Sequence, residues 1–164
     1  MRSDPNSAAL PQIAVRNLQR TVRVCIDDLE QFAAKALREC LQLPRERPTD
    51  LTRLRDILVV LVSDRRMASL HRQFLNQTGS TDVLTFQHGE IFISVETARR
   101  HARRFGNSLA RELRLYIVHG LLHLHGFDDR KHTDARKMEK MQTRILTATN
   151  DKRRSISFAS SRLK

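Results

Sequence analysis

Residues 112–129, ELRLYIVHGLLHLHGFDD, restrict the fold more than any other stretch. Leu113, Ile117, Leu121 and Leu124 recur at three- and four-residue steps, the spacing of an amphipathic helix with a wide apolar face. The rest of the chain must cover that face. His119 and His123 are set into the same pattern. A four-residue step turns a helix by only about 40° beyond one full turn, so the two imidazoles share a face and can reach one metal ion. Gly126 offers a stop and a turn, and Asp128 and Asp129 follow within reach of the same point. Two helical ligands and a third from beyond a glycine turn make a catalytic-metal layout, with a fourth position open to water.

The flanking pattern predicts a mixed α and β chain. Residues 13–17 read as a short strand, and 27–41 as a helix with an apolar stripe and Asp27 or Asp28 as its cap. Pro44 and Pro48 mark a loop. The β-branched run DILVVLVS over 56–63 predicts a central strand. Asp64 can cap a helix to Leu75, before a break at Gly79 and Ser80. Residues 83–86 and 90–94 form two more strands, whose closeness suggests a hairpin, with a kinked crossover as the alternative. A basic helix over 96–105 leads to Ser108, a good N-cap for the histidine-bearing helix. A last helix, capped by Thr133 or Asp134, carries Met138, Met141, Ile145 and Leu146 and should end near Thr147. One domain over 12–149 follows, between a loose N-terminal segment, 1–11, and a basic, serine-rich tail, 150–164, expected to be disordered.

A formal charge of +12 on 164 residues favours a polyanionic partner. Membrane association has little support: no apolar run approaches the roughly 18–20 residues of a spanning helix, and the N-terminus lacks a signal-peptide core. Cys25 and Cys40 are too few for a disulfide framework, which points to a reducing cytoplasm.

His119-Gly120-Leu121-Leu122-His123-Leu124-His125-Gly126-Phe127-Asp128-Asp129 resembles the HGxLHLxGYDH signature of the YbeY family of rRNA-maturation endoribonucleases. Phe127 replaces the tyrosine and Asp129 the last histidine. Ser80-Thr81-Asp82-Val83-Leu84-Thr85-Phe86, followed by Gly89-Glu90-Ile91-Phe92-Ile93-Ser94, is similar to the family's TDVLSF and GDIxIS strands. The resemblance implies an α+β fold, a small mixed sheet packed against helices, like that of metzincin-like metal-dependent hydrolases. It also implies one zinc ion, single-strand-specific endoribonuclease activity, and a role in maturing the 3′ end of 16S rRNA on the small ribosomal subunit and in ribosome quality control.

The family's third ligand is a histidine; here Asp129 takes that position, and carboxylate oxygen is an acceptable zinc ligand. Asp128 and His132 are rivals for the place. His125, about 200° around the helix from His123, is expected to be exposed or to face RNA. The family's YR pair, whose arginine is thought functional, falls on Phe74 and Leu75, so no arginine carries over; Arg72, one helical step away, is a candidate to substitute for it in RNA binding, with a solvated charge as the alternative. Arg99, Arg100, Arg103, Arg104 and Arg111 are the candidates to line an approach for RNA. Gly120 stands where an HExxH protease has its general base, which disfavours peptide hydrolysis. A ribosome-associated RNA-binding assembly factor without cleavage activity is the alternative from another class.

Overall fold

The computed structural model describes the backbone of residues 9–79 and 81–160, with side chains as far as residue 150. Among the described residues ten elements follow in order: β1 (Gln12–Asn17), α1 (Ile26–Leu41), α2 (Asp50–Arg53), β2 (Asp56–Val62), α3 (Asp64–Leu75), β3 (Val83–Thr85), β4 (Glu90–Ser94), α4 (Val95–Phe105), α5 (Leu109–Leu124) and α6 (His132–Ser160). The strands form one sheet in the order β1-β2-β4-β3. β2 runs parallel to both of its neighbours, and β3 returns antiparallel beside β4, pairing Val83 with Ile93 and Thr85 with Ile91. The sheet is therefore mixed and packed against helices, and the close pair 83–86 and 90–94 is a hairpin.

Parallel pairing forces the chain to cross over between β1 and β2 and between β2 and β4, so helices cover both faces of the sheet. Alternation along the strands sorts the side chains. Val59, Leu61, Ile91 and Ile93 join a large core with α1, α5 and α6. Val60 and Val62 pack with Met67 and Leu70 of α3 on the other face. β2 is buried on both faces, which is why it reads as an unbroken β-branched run.

Several boundaries differ from the sequence reading. Ser63, not Asp64, caps α3, its Oγ accepting from the backbone N–H of Arg66. Ser94 likewise caps α4, which opens at Val95. Cys25 occupies the cap position of α1, leaving Asp27 and Asp28 in its first turn, where their negative charge is stabilised by the positive end of the helix dipole. The loop after Pro48 contains α2, opened by a reciprocal capping box between Thr49 and Thr52. α6 starts at His132 and continues past Thr147 to Ser160; no glycine or proline interrupts the chain there. The helical backbone thus enters the basic segment expected to be disordered, while residues 161–164 lie outside the described ones. So do residues 1–8 of the expected loose N-terminal segment. No helix among the described residues is long and apolar enough to cross a membrane.

Candidate metal centre

α5 is the central element of the large core. Ser108 caps it by accepting from the N–H of Arg111, and Leu113, Ile117, Leu121 and Leu124 are buried along its length. Close contact with the sheet comes at Gly120. A Cβ there would meet Ile91 Cγ2 at 2.6 Å and Cδ1 at 2.9 Å, so only glycine lets α5 sit this near β4. The neighbouring face, bearing His119 and His123, is half-buried and borders a cleft shared with Val83 and Thr85 of β3.

The helix ends in a Schellman turn. The N–H of Gly126 donates to the carbonyl of His123, and that of Phe127 to the carbonyl of Leu122. Gly126 takes φ +97°, a conformation that L side chains rarely adopt. This reversal returns the chain towards the histidines and brings in Asp129.

The geometry gathers three donor atoms. His119 Nε2 and His123 Nε2 lie 3.0 Å apart, and Asp129 Oδ2 is 3.5 Å from the first and 3.7 Å from the second. Among the described residues this is the one group of three or more His, Cys, Asp or Glu placed to share an ion. A triangle with those sides has a circumradius of about 2.0 Å, the length of a zinc–nitrogen or zinc–oxygen bond. The other ring nitrogens are engaged: His119 Nδ1 with Gln142 Oε1 at 2.6 Å, and His123 Nδ1 with the Phe127 carbonyl at 3.1 Å. With the hydrogen of each neutral ring at Nδ1, donated to those oxygens, both Nε2 lone pairs point at the shared site. Burial, reinforced by the neighbouring His119, lowers the pKa of His123, which favours the neutral, ligating form. The donor set therefore fits a zinc-like cation.

The rival donors lie outside this group. Asp128 accepts from the backbone N–H and the guanidinium of Arg130, at 3.0 and 2.7 Å, and that hydrogen-bonding holds its carboxyl at about 2. His132 opens α6 and is exposed, outside the cluster. His125 is a correction. It points off the ligand face, as the helical angle requires, but it is buried rather than exposed, at 4%. It stacks beside Phe127, with Thr49 Oγ1 3.5 Å from its Nδ1. The loop leading into α2 covers this side of the helix end, and burial lowers the pKa of the imidazole.

A cleft of about 290 Å³ opens over the two histidines, lined also by Asp50, Val83, Thr85 and Gln87. The Thr85 hydroxyl is buried with no hydrogen-bond partner among the described residues. None of the six arginines Arg72, Arg99, Arg100, Arg103, Arg104 and Arg111 lines this cleft. Arg72, Arg103, Arg104 and Arg111 are exposed, and Arg104 lies over the Phe105 ring. Arg100 is bound to Asp64 at 2.5 Å, in a network that ties the start of α3 to the start of α4. Gln142 is the site residue that sequence reading missed: a lone polar residue on a helix gives no signal of its partner.

Comparison with known proteins agrees with this architecture. The family model for the endoribonuclease YbeY matches residues 14–150. The curated Endoribonuclease YbeY of Anaeromyxobacter sp. (strain Fw109-5) is 36% identical over 103 residues, covering 57% of this chain and 54% of that protein. Its counterpart in Thermus thermophilus is 38% identical over 102 residues, covering 55% of this chain and 73% of that one. The match thus spans about half the length of the first relative and nearly three quarters of the second. The solution structure of TM1509 from Thermotoga maritima aligns with a TM-score of 0.61 at 25% identity, over 88% of this chain and 93% of that one. With the family model matching most of its length and the His-His-Asp cluster built on the signature helix, the chain belongs to the YbeY family.

Proposed function

We propose that this chain is a zinc-dependent endoribonuclease that hydrolyses phosphodiester bonds in single-stranded RNA. Its substrate in this reading is the 3′ region of 16S rRNA on the small ribosomal subunit, in the cytoplasm, with a part in maturation and ribosome quality control. Relatives that carry the name Endoribonuclease YbeY support the reaction class. The observation that carries the reading is the convergence of His119 Nε2, His123 Nε2 and Asp129 Oδ2, each imidazole already anchored through its Nδ1.

When bound, a zinc ion supplies Lewis acidity towards a phosphoryl oxygen and towards water. His119 and His123 would hold it as neutral donors, and Asp129 would add a negative charge. That charge moderates the electrophilicity of the centre relative to a third imidazole. Gln87 lines the cleft and carries an amide able to orient an RNA segment by hydrogen bonds. Net charge attracts and retains the polyanion. Peptide hydrolysis by the HExxH route has no base here, because residue 120 is a glycine turned into Ile91.

The test is metal analysis together with RNA cleavage by the wild-type protein and His119→Ala. Wild type is expected to carry one zinc and to cleave; the variant should lose both. Equal cleavage by the two proteins removes the site from the mechanism. Tight, salt-sensitive rRNA binding with no metal-dependent cleavage would instead indicate a non-catalytic assembly factor.

A further inference from the structure

We propose that Gln142, on α6, is a positioning residue for the metal centre, its amide oxygen selecting the His119 tautomer whose Nε2 is free to take a cation. The inference rests on the metal-centre reading above, and extends it to a side chain on a different helix from the ligands.

The two ligand histidines are oriented by different means. His123 Nδ1 faces the Phe127 carbonyl, which can only accept a hydrogen bond. Its tautomer is thus fixed by the main chain of the Schellman turn. His119 Nδ1 faces the Gln142 side chain at 2.6 Å, and an amide offers an acceptor at one end and a donor at the other. The end it presents decides where the His119 proton sits. With Oε1 towards the ring, Nδ1 carries the hydrogen, and His119 Nε2 faces His123 Nε2 as lone pair against lone pair at 3.0 Å. That arrangement repels itself and welcomes a cation. With the amide reversed, its NH₂ donates to Nδ1, the hydrogen moves to His119 Nε2, and the two imidazoles close a hydrogen bond on each other. Both ligand positions are then occupied by that bond.

Gln142 can hold the first orientation because α6 is anchored on either side of it. Met138 and Ile145, four residues before and three after, are buried in the large core, and Met141 and Leu146 pack against that core. This fixes the rotation of α6 and keeps residue 142 on the side facing α5.

Two measurements on the full chain test the proposal. In metal-free protein at a pH where both rings are neutral, ¹⁵N-resolved histidine NMR reads the tautomer directly. Wild type should hold His119 as the Nδ1–H form, and Gln142→Leu should shift it towards Nε2–H. Zinc affinity, read by competition with a chromophoric chelator, should fall about ten- to a hundred-fold in Gln142→Leu. Gln142→Glu, whose carboxylate can only accept, should bind at least as tightly as wild type. Thermal melting of the metal-free variants confirms that each is folded. An unchanged His119 tautomer in Gln142→Leu overturns the proposal, as does a Gln142→Glu variant as weak as Gln142→Leu, which would reduce Gln142 to packing. Wild-type protein that takes up no zinc defeats the metal-centre reading instead, and leaves the tautomer measurement to decide the role of Gln142.

Discussion

Asp129 brings a formal charge to a cluster whose other two donors are neutral, and it does so from a half-exposed position just past the turn. Removing it leaves two imidazoles on one helix, a weaker grip than three donors. Asp129→Ala is therefore expected to lower zinc affinity by at least about a hundred-fold, more than loss of the Gln142 amide would. Asp129→His, which supplies the third imidazole of the family signature, should retain one zinc per chain; chelator competition reads both. Asp64 gives a second prediction of this size. Burial alone would raise its carboxyl, but hydrogen bonds from Arg100, Ser94 and Thr97 overcome that and hold it at about 2. A carboxylate lowered on folding stabilises the native state above its unfolded value, and that contribution is lost as pH falls through its folded value. Asp64→Asn should cost about 1–2 kcal/mol at pH 7 after allowance for the exposed Arg100 partner. The deficit should shrink between about pH 4 and pH 2, as urea titrations at a series of pH values would show.

Among the elements, the contact of α5 with β4 is the least forgiving. Gly120→Ala improves intrinsic helix propensity yet drives a methyl into the fully buried Ile91, and overpacking of that kind costs about 1–3 kcal/mol. A loss of stability on chemical denaturation is expected despite the better helix former; a gain would mean that Ile91 has room to move. α5 is legible in the sequence because its stripe, its serine cap and its glycine stop all agree locally, and the two histidines fall on one face by helical arithmetic alone. β2 is legible because burial on both faces leaves an unbroken apolar run. What the sequence could not show depends on partners distant along the chain. His125 is covered by the loop before α2, so its burial is a tertiary fact. Gln142 looks like any solvated polar residue until α6 is docked on α5. Adjacent Ser63 and Asp64 are both good caps, and only the observed geometry separates them. The four-residue α2 has no periodicity to read, and α6 outruns its apolar stripe because nothing in the sequence stops it.

For the molecule as a whole, the +12 charge is the dominant long-range property. Affinity for single-stranded RNA should fall linearly on a log–log plot against salt, with a slope of about −0.7 per phosphate neutralised. Replacing Arg99, Arg103, Arg104 and Arg111 one at a time by alanine should flatten that slope by up to about 0.7 for each residue that contacts phosphate, as fluorescence anisotropy would measure. Arg100→Ala should chiefly lower stability, since its guanidinium is already bound to Asp64. The tight seat of residue 120 also limits where this lineage could go by small steps. A peptidase of the HExxH kind needs a glutamate there, and any side chain at residue 120 meets Ile91, so Ile91 would have to give way to a smaller residue at the same time.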